Sequence, residues 1–257
     1  MINTINPILL EIGPFAIRWY GLFLAVGVVI ASLIIRHLFI KNDLKEDDAL
    51  SLVMWLVFGG LIGARLGEVL FYEPAYYLAH PMNILFVHHG GLSSHGMTIG
   101  LLIAFLLFNR KKQLNWKKSM DIVSLGLPIV AGCIRLGNFF NSEIVGRVTN
   151  VPWAIQFPRH EIPALMRHPS QLYESILAFS IFLILWMVYK KKKFVTPLFI
   201  THLFMFLYFS SRFFIEFVKE YQTLTGGLTM GQWLSIPFII WAVGWFVYYY
   251  NKKETAN

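Results

Sequence analysis

Residues 119–143 read SMDIVSLGLPIVAGCIRLGNFFNSE, an apolar run that ends in arginine, asparagine and glutamate. The run is long enough to cross a lipid bilayer as a helix, because about 20 apolar residues span the hydrocarbon core. An ionisable side chain in such a span costs about 2.5–3.5 kcal/mol on insertion scales, and it usually serves a function. The polar part, residues 135–143 followed by Gly146 and Arg147, therefore predicts an anion-binding site at the end of a membrane helix.

The composition places the whole chain in a membrane. Of its 257 residues 56% are hydrophobic and 14% are charged, whereas about 25% of the residues of a soluble domain are charged. The net charge of +8 would indicate nucleic acid in a soluble protein. In a membrane protein, basic loops that orient the spans explain this net charge. We therefore expect no nucleic-acid partner. Cys133 is the only cysteine, so it offers neither an intramolecular disulfide nor a thiolate metal site.

Apolar stretches recur along the chain and predict an all-α integral membrane protein with about seven transmembrane helices. We treat residues 1–257 as a single polytopic membrane domain. The N-terminal stretch lacks the basic region and cleavage site of a signal peptide, so we expect it to be retained and to lie along the membrane interface. The predicted spans are residues 17–40, 49–72, 93–109, 119–138, 171–189, 196–217 and 232–250.

Lysine and arginine are distributed unevenly between the two ends of these spans. Fourteen lie toward one side of the membrane, and five lie toward the other. By the positive-inside rule the richer side is cytoplasmic, which places the N-terminus outside and the C-terminus in the cytoplasm. The outward connections are then residues 73–92 and 141–170, and the second, with its prolines and charges, predicts a small extracytoplasmic cap.

Three arginines, Arg65, Arg135 and Arg212, fall in the outward halves of their spans. The planar guanidinium suits bidentate binding of phosphate and keeps its charge in a site of low dielectric constant. The alternative is a structural role, because Glu68 and Glu216 follow two of these arginines at helical spacing and can form local ion pairs. For Arg65 both interpretations stay open, and for Arg135 and Arg212 we favour anion binding.

His95 lies in a turn rich in glycine and serine, residues 90–96, at the outward entrance of the third span. Histidine exchanges a proton near neutral pH, and the flanking glycines let a substrate approach the backbone closely. We favour a functional histidine over the alternative, a hydrogen-bonded structural one. His80, His88 and His89 precede it, but their spacing matches no zinc motif, and we expect solvated loop residues.

Further polar residues lie at helical spacing from the arginines or at span entrances. Asn138 shares a helix face with Arg135, and Tyr208 shares one with Arg212. Tyr20 opens the first span and on its own is typical of an aromatic interface anchor. Residues 167–174 open the fifth span and supply a helix cap, which is a structural role. No Ser-His-Asp, Walker or GxSxG pattern occurs, so we expect neither a nucleotide nor a bound metal.

Taken together, these motifs resemble the bacterial prolipoprotein diacylglyceryl transferase family. The signature is residues 135–143 with Gly146, and further blocks occur in the family's order over nearly the whole chain. These blocks are residues 18–21, 94–96, 167–174, 212–216 and 229–237. Two departures are visible: Ile134 and Met97 stand where the family usually has glycine. Both lie next to the polar residues and leave them intact.

The resemblance implies an enzyme of the bacterial cytoplasmic (inner) membrane whose active site faces outward. It implies transfer of the diacylglyceryl group of phosphatidylglycerol, a membrane lipid, to the lipobox cysteine thiol in the signal peptide of a preprolipoprotein. Glycerol phosphate is released, no cofactor is used, and the reaction is the first step of lipoprotein maturation.

With this resemblance we assign roles to individual residues. Arg135 and Arg212 hold the phosphate and headgroup, because fixed arginines stabilise the charge that grows on a departing phosphate. His95 is the candidate base for the thiol proton, with Tyr20 and Tyr208 as its neighbours. The predicted substrate-binding residues beside the arginines are Asn138, Asn141, Glu143, Gly146 and Glu216.

Two other functions fit the same residues. A transporter or flippase for an anionic lipid also needs buried arginines, but it usually shows paired halves and a midplane site. No internal repeat occurs here, and the polar residues cluster toward one surface. The third possibility is a lipid-binding scaffold without activity, which a lipidation assay distinguishes from an enzyme.

Overall fold

The structure of the protein is a computed structural model that describes residues 1–13, 15–86, 90–192, 196–220 and 225–254. Most of these residues are helical, which confirms the predicted helical class. The α-helices are α1 (Trp19–Lys41), α2 (Glu46–Gly67), α3 (Pro74–Ala79), α4 (Ser94–Lys112), α5 (Trp116–Asn141), α6 (Ser170–Lys192), α7 (Phe199–Ile215) and α8 (Met230–Glu254). A π-helical turn (Glu68–Tyr72) extends α2, and a 3-10 helix (Pro81–Leu85) follows α3.

Among the described residues, five helices are long and apolar enough to cross a membrane, so the chain is a multi-pass membrane protein. They are α1, α2 with its π-turn, α5, α6 and α8. The other two predicted spans coincide with α4 and α7. Helix α7 is apolar but has only 17 residues, and α4 begins in a polar turn and ends in three basic residues. The count of seven spans and the orientation of the termini therefore stay predictions.

Two short antiparallel hairpins accompany the helices, and the helical periodicity of the sequence did not predict them. They are formed by β1 (Ile8–Ile12) with β2 (Phe15–Arg18), and by β3 (Ile155–Gln156) with β4 (Met166–Arg167). The second hairpin lies within the predicted cap. Asn3 ties the N-terminal segment to it, because its N–H donates to the Gln156 carbonyl at 2.9 Å. The Asn3 side chain donates to the Phe139 carbonyl at 2.8 Å, which anchors the same segment to the end of α5.

Contacts within the chain define two compact units. One is Ile35–Ser119, and the other combines Met1–Ile34 with Met120–Asn257. The single polytopic domain expected from the sequence stays a prediction, and the units are described in turn.

In the unit Ile35–Ser119, α2 packs on α4 through glycines that recur every four residues. A Cβ added to Gly63 would collide with the Gly96 carbonyl, and one added to Gly100 would collide with the Gly59 carbonyl. Lipid offers no hydrophobic driving force between helices, so small residues that let backbones approach closely are a main source of association. This contact therefore depends on the absence of side chains along one face of each helix.

In the other unit, a buried carboxylate holds the start of α7 against α5. Asp121, fully buried near the beginning of α5, accepts hydrogen bonds from the N–H groups of Leu198 and Thr201 at 2.7 and 2.8 Å. It also accepts from the Thr201 hydroxyl at 2.7 Å. The first N–H groups of a helix lack partners within the helix and favour negative charge. Asp121 thus caps α7 from a neighbouring helix, a contact that no local sequence pattern indicates.

Candidate active site

Arg135, in the last two turns of α5, is paired with a residue of α6. Its Nε lies 2.6 Å from Glu174 Oε2, and its Nη1 donates to Asn138 Oδ1 at 3.2 Å. Only 19% and 10% of the Arg135 and Glu174 side-chain surfaces are exposed. The predicted proximity of Asn138 and Arg135 is confirmed. Glu174, which the sequence placed in a helix cap, is the acid partner of this arginine.

Beyond Arg135 the signature folds into a turn organised around Glu143. Asn138 and Asn141 each donate from Nδ2 to one carboxylate oxygen of Glu143, at 3.1 and 2.9 Å. The Glu143 N–H donates to the Asn138 carbonyl at 3.0 Å, and its carbonyl accepts from Gln171 Nε2 at 2.6 Å. The Glu143 residue nevertheless stays exposed. An oriented, accessible carboxylate of this kind can accept further hydrogen bonds from hydroxyl groups.

Tyr20, in the first turn of α1, packs against the same end of α5. A Cβ added to Gly137 would lie 2.9 Å from Tyr20 Cδ2, so glycine permits this contact. The charges of Glu143 and Arg135 act on the half-buried phenol. The structure therefore brings Tyr20 to the predicted site, a placement that its sequence context alone did not require.

A cleft between α5, α6 and α7 contains two of the three predicted arginines. Arg135 comes from α5, Glu174 from α6, and Tyr208 and Arg212 from α7. The rest of the lining is mostly apolar and consists of Ala131, Leu177, Ala178, Ile181, Ser211 and Ile215. Apolar walls strengthen the attraction between a guanidinium and an anion, because they lower the effective dielectric constant.

Arg212 differs from Arg135 in having no acid partner among the described residues. It is half-buried, and within the described residues its guanidinium forms no ion pair or hydrogen bond. The local pair with Glu216, the structural alternative considered from the sequence, is not formed. The Glu216 carboxylate accepts from Thr229 Oγ1 at 3.0 Å and lies 3.3 Å from Lys219 Nζ. The charge and the donors of Arg212 are therefore left for an anion.

Lys219 joins two glutamates into a buried chain of charges. Its Nζ lies 2.7 Å from Glu174 Oε1 and 3.3 Å from Glu216 Oε1, and 7% of the residue is exposed. Since Glu174 also pairs with Arg135, the chain couples α5 and α6 to the segment after α7. The sequence analysis treated Lys219 only as a charge in a loop. Its position three residues after Glu216 was the local signal that could have indicated the ion pair between them.

Glu216 is also connected to the start of α8, through a reciprocal helix cap. The Gln232 N–H donates to Thr229 Oγ1 at 3.2 Å, and the Thr229 N–H donates to Gln232 Oε1 at 3.0 Å. This is the capping-box arrangement, in which the cap residue and the third helical residue satisfy each other. Because the Thr229 hydroxyl also donates to Glu216, this predicted site residue is held in place by α8.

Gly146 lies where the chain after the signature meets the cap. Its N–H donates to the His168 carbonyl at 2.9 Å, and its carbonyl accepts from Arg167 Nη1 at 3.0 Å. A Cβ here would lie 2.7 Å from the Val218 carbonyl, so only glycine fits. Both backbone polar groups of Gly146 are therefore occupied by contacts within the cap.

Arg167 organises the cap through a bidentate ion pair. Its Nε and Nη2 lie 2.5 and 2.7 Å from the two carboxylate oxygens of Glu161, and its Nη1 lies 3.0 Å from Glu220 Oε1. Hydrogen bonding to Arg167 holds the pKa of Glu161 at about 2, and the same bond raises the pKa of Arg167. Burial lowers the pKa of the neighbouring His168. The cap is thus fixed by charge at neutral pH.

His95 belongs to the unit Ile35–Ser119 and occupies the second position of α4. Ser93 caps this helix by accepting a hydrogen bond from the Gly96 N–H at 3.1 Å. His95 is exposed, and its Nδ1 lies 3.1 Å from the Tyr72 hydroxyl. The turn rich in glycine and serine therefore starts a helix and leaves the imidazole accessible.

Arg65, whose role the sequence left open, binds the loop that precedes His95. Its buried guanidinium donates to backbone carbonyl oxygens and lies 4.9 Å from the centre of the Tyr77 ring. The acceptors are the carbonyls of Asn83, Ile84, Phe86, Gly90 and Gly91. Arg65 thus shapes this loop, which is the structural alternative. Of the loop histidines, His80 is exposed as predicted, and His88 and His89 lie outside the described residues.

Comparison with known proteins supports the family suggested by the motifs. The family described as prolipoprotein diacylglyceryl transferase matches residues 7–248. The chain is 40% identical to the phosphatidylglycerol–prolipoprotein diacylglyceryl transferase of Bacteroides fragilis, over 98% of the chain and 96% of that protein. Proteins of the same name from Chloroherpeton thalassium (41% identical, 97% and 93% covered) and Tolumonas auensis (40% identical, 98% and 98% covered) are similar. The chain therefore belongs to the prolipoprotein diacylglyceryl transferase family.

Proposed function

We propose that the protein transfers the diacylglyceryl group of phosphatidylglycerol to a prolipoprotein, the reaction that the names of its relatives state. The acceptor is the thiol of the lipobox cysteine, and glycerol phosphate is the second product. The protein acts in the bacterial cytoplasmic membrane, with the site and the cap facing outward. This transfer is the first step of lipoprotein maturation.

The unequal pairing of the two arginines in the cleft carries this proposal. Arg135 is balanced by Glu174, whereas Arg212 has no carboxylate partner among the described residues. A phosphodiester carries one negative charge and several acceptor oxygens, so it can supply the counter-ion that Arg212 lacks within the described part of the chain. Arg135 binds Glu174 through Nε and Asn138 through Nη1. These two contacts fix the plane of the guanidinium and therefore also fix the direction of Nη2. Both arginines can then hold one phosphate.

The reaction is a nucleophilic displacement at the glyceryl carbon that carries the phosphate. The cysteine sulfur forms a C–S bond as the C–O bond to the phosphate breaks. A thiol with an ordinary pKa near 8.5 is mostly protonated at neutral pH, so a base must take its proton, and His95 is the candidate. Arg135 and Arg212 stabilise the charge that grows on the leaving phosphate, where one well-placed donor typically contributes about 100- to 1,000-fold in rate.

The turn around Glu143 is assigned to the glycerol headgroup. Its carboxylate is exposed and is oriented by Asn138 and Asn141, so it can accept hydrogen bonds from the headgroup hydroxyls. Tyr20 packs beside this turn and adds a phenol to the same region.

The other predicted residues support the cleft. Tyr208 lines it next to Arg212. Glu216 is buried and contributes through Lys219, while Gly146 allows the close approach between the signature and the cap.

The decisive test of this function is a lipidation assay. Purified protein, phosphatidylglycerol vesicles and a lipobox peptide should yield a peptide heavier by one diacylglyceryl group, together with glycerol phosphate. A peptide with serine in place of cysteine is the control and should stay unmodified. If folded protein moves or binds the lipid but forms no thioether product, the transporter or scaffold alternative replaces the enzyme.

The outward orientation has its own test. In a Cys133→Ala background, Lys111→Cys and Arg159→Cys place single thiols in a predicted cytoplasmic loop and in the cap. An impermeant thiol reagent added to cells that expose the outer face of the membrane should label position 159 and not position 111. The opposite labelling pattern would reverse the topology.

A further inference from the structure

The end of α2 is not a regular α-helix. Residues Glu68–Tyr72 form a π-helical turn, whose wider hydrogen-bond register rotates the following side chains around the helix axis. Such turns occur frequently at functional sites, and this one ends at Tyr72. Tyr72 is 57% exposed, so burial of its ring does not account for its position.

Glycine packing brings this turn next to the start of α4. A Cβ added to Gly67 would lie 2.7 Å from Gly96 Cα and 3.0 Å from Ser93 Cβ, so the backbones approach as closely as glycine permits. The Ser93 N–H also donates to the Ala64 carbonyl at 2.9 Å. Backbone contacts therefore set the distance between the π-turn and the first residues of α4.

The result of this arrangement is a hydrogen bond between Tyr72 and His95, with the hydroxyl oxygen 3.1 Å from Nδ1. We infer that Tyr72 is a positioning residue for His95. Its phenolic oxygen accepts the Nδ1–H and so leaves the Nε2 lone pair free for the thiol proton. The inference rests on the proposed function, in which His95 is the base.

The direction of this hydrogen bond decides whether His95 can act as a base. A neutral imidazole carries one proton, either on Nδ1 or on Nε2. If the Tyr72 hydroxyl donated to Nδ1, the proton would lie on Nε2, and that nitrogen would accept no other. If Nδ1–H donates to the phenolic oxygen, Nε2 is the acceptor. A third group that orients the base in this way is a recurrent feature of nucleophilic catalysis.

In the reaction, the thiol proton moves to His95 Nε2 while the sulfur electron pair forms the bond to the glyceryl carbon. The C–O bond breaks, and its electron pair leaves with the phosphate. The imidazolium then carries a proton on each nitrogen, and the Tyr72 oxygen still accepts from Nδ1–H. Because hydrogen bonds from charged donors are stronger, Tyr72 stabilises the imidazolium until water takes the Nε2 proton.

The first part of the test compares the rates of the full-length parent, Tyr72→Phe, His95→Gln and the double variant from about pH 6 to 9. Tyr72→Phe should lower kcat roughly 10- to 100-fold with little change in KM, the loss expected for one hydrogen bond to a charged group. The double variant should be no slower than His95→Gln, because Tyr72 acts only through its hydrogen bond to His95. Tyr76→Phe, which removes an exposed hydroxyl bonded to Asn83 at 2.7 Å, should leave kcat unchanged.

The second part reads the tautomer of His95 directly. Nitrogen-15 NMR of histidine-labelled protein, with His95 identified by its absence in His95→Gln, should show Nδ1–H in the parent and more Nε2–H in Tyr72→Phe. A parent with the proton on Nε2 overturns the inference. If His95→Gln keeps the parental rate, the base assignment fails and the inference fails with it. If His95→Gln is slow but Tyr72→Phe matches the parent, only the inference fails.

Discussion

The α2–α4 pair is marked by a glycine contact, whereas the α5–α6–α7 group is marked by a chain of buried charges. Between α2 and α4, Gly63 and Gly96 remove side chains so that the backbones touch. In the second group a buried carboxylate joins the helices, because Glu174 binds both Arg135 and Lys219. Small residues suffice where a membrane protein needs only close packing. An ionisable side chain in a span usually serves a function. Among the described residues Glu174 balances Arg135, whereas Arg212 forms no ion pair.

The largest effect is expected from filling the glycine contact. Gly63→Leu puts a side chain where the Gly96 carbonyl and the Gly100 backbone already lie, so α2 and α4 cannot pack. We expect most of the protein to be lost as aggregate when purified in detergent, measured as the monodisperse yield. Gly244→Leu is the matched control, because nothing lies within 4 Å of a Cβ there. Equal yields of the two variants would show that the glycine contact does not hold this unit together.

The next largest effect is expected from a change at Arg135, in the α5–α6–α7 group. Arg135→Lys keeps the charge but loses the planar fork, so bidentate phosphate binding and the pair with Glu174 are both disturbed. We expect kcat/KM to fall by about 100-fold or more in the lipidation assay. Arg159→Lys, an exposed arginine of the cap, should be nearly silent. A normal rate for Arg135→Lys would reduce Arg135 to a structural charge.

A smaller effect should follow from breaking the chain of charges in its middle. Lys219→Met leaves Glu216, whose side chain is 2% exposed, without its cation. Removing one partner of a buried pair costs about 3 kcal/mol or more, which should appear as a lower thermal midpoint in detergent. Adding Glu216→Gln should recover part of this loss, because the unpaired charge is removed as well. No recovery in the double variant would contradict the proposed coupling.

The smallest effect is a pH dependence of the cap. The pKa of Glu161 is about 2 in the folded protein, below the ordinary value of about 4.3 expected in the unfolded chain. A lowered pKa contributes stability above the unfolded value, and this contribution is lost as the pH falls toward the folded value. The thermal midpoints of the parent and Glu161→Gln should therefore converge between about pH 5 and 3. A difference that stays constant over this range would contradict the ion pair with Arg167.

Local sequence patterns predicted the helices. Each predicted span overlaps a helix, because apolar length and composition are local properties. The contact of Arg135 with Asn138 was also predictable, since it follows from helical spacing. The partners Glu174 and Lys219 were not, because nothing local indicates which charges meet across helices. The same applies to Asp121, which caps a helix far along the chain.

The glycine contact and the role of Arg65 show a second kind of limit. Glycines every four residues on α2 and α4 were present in the sequence, but the pattern alone does not say which helices meet. Arg65 had a plausible acid partner at helical spacing, yet it binds loop carbonyls instead. Backbone carbonyls have no signature in a sequence, so a buried arginine that binds them resembles one that binds a ligand.

The role of Arg212 can be measured by comparing Arg212→Gln with Arg159→Gln and the parent in the lipidation assay. If the guanidinium of Arg212 holds the phosphate, the parent and Arg159→Gln should form product at equal rates. Arg212→Gln should be slower by about 100-fold or more while remaining folded, because the transition state loses a fixed cation. Equal rates for all three proteins would show that Arg212 does not hold the phosphate.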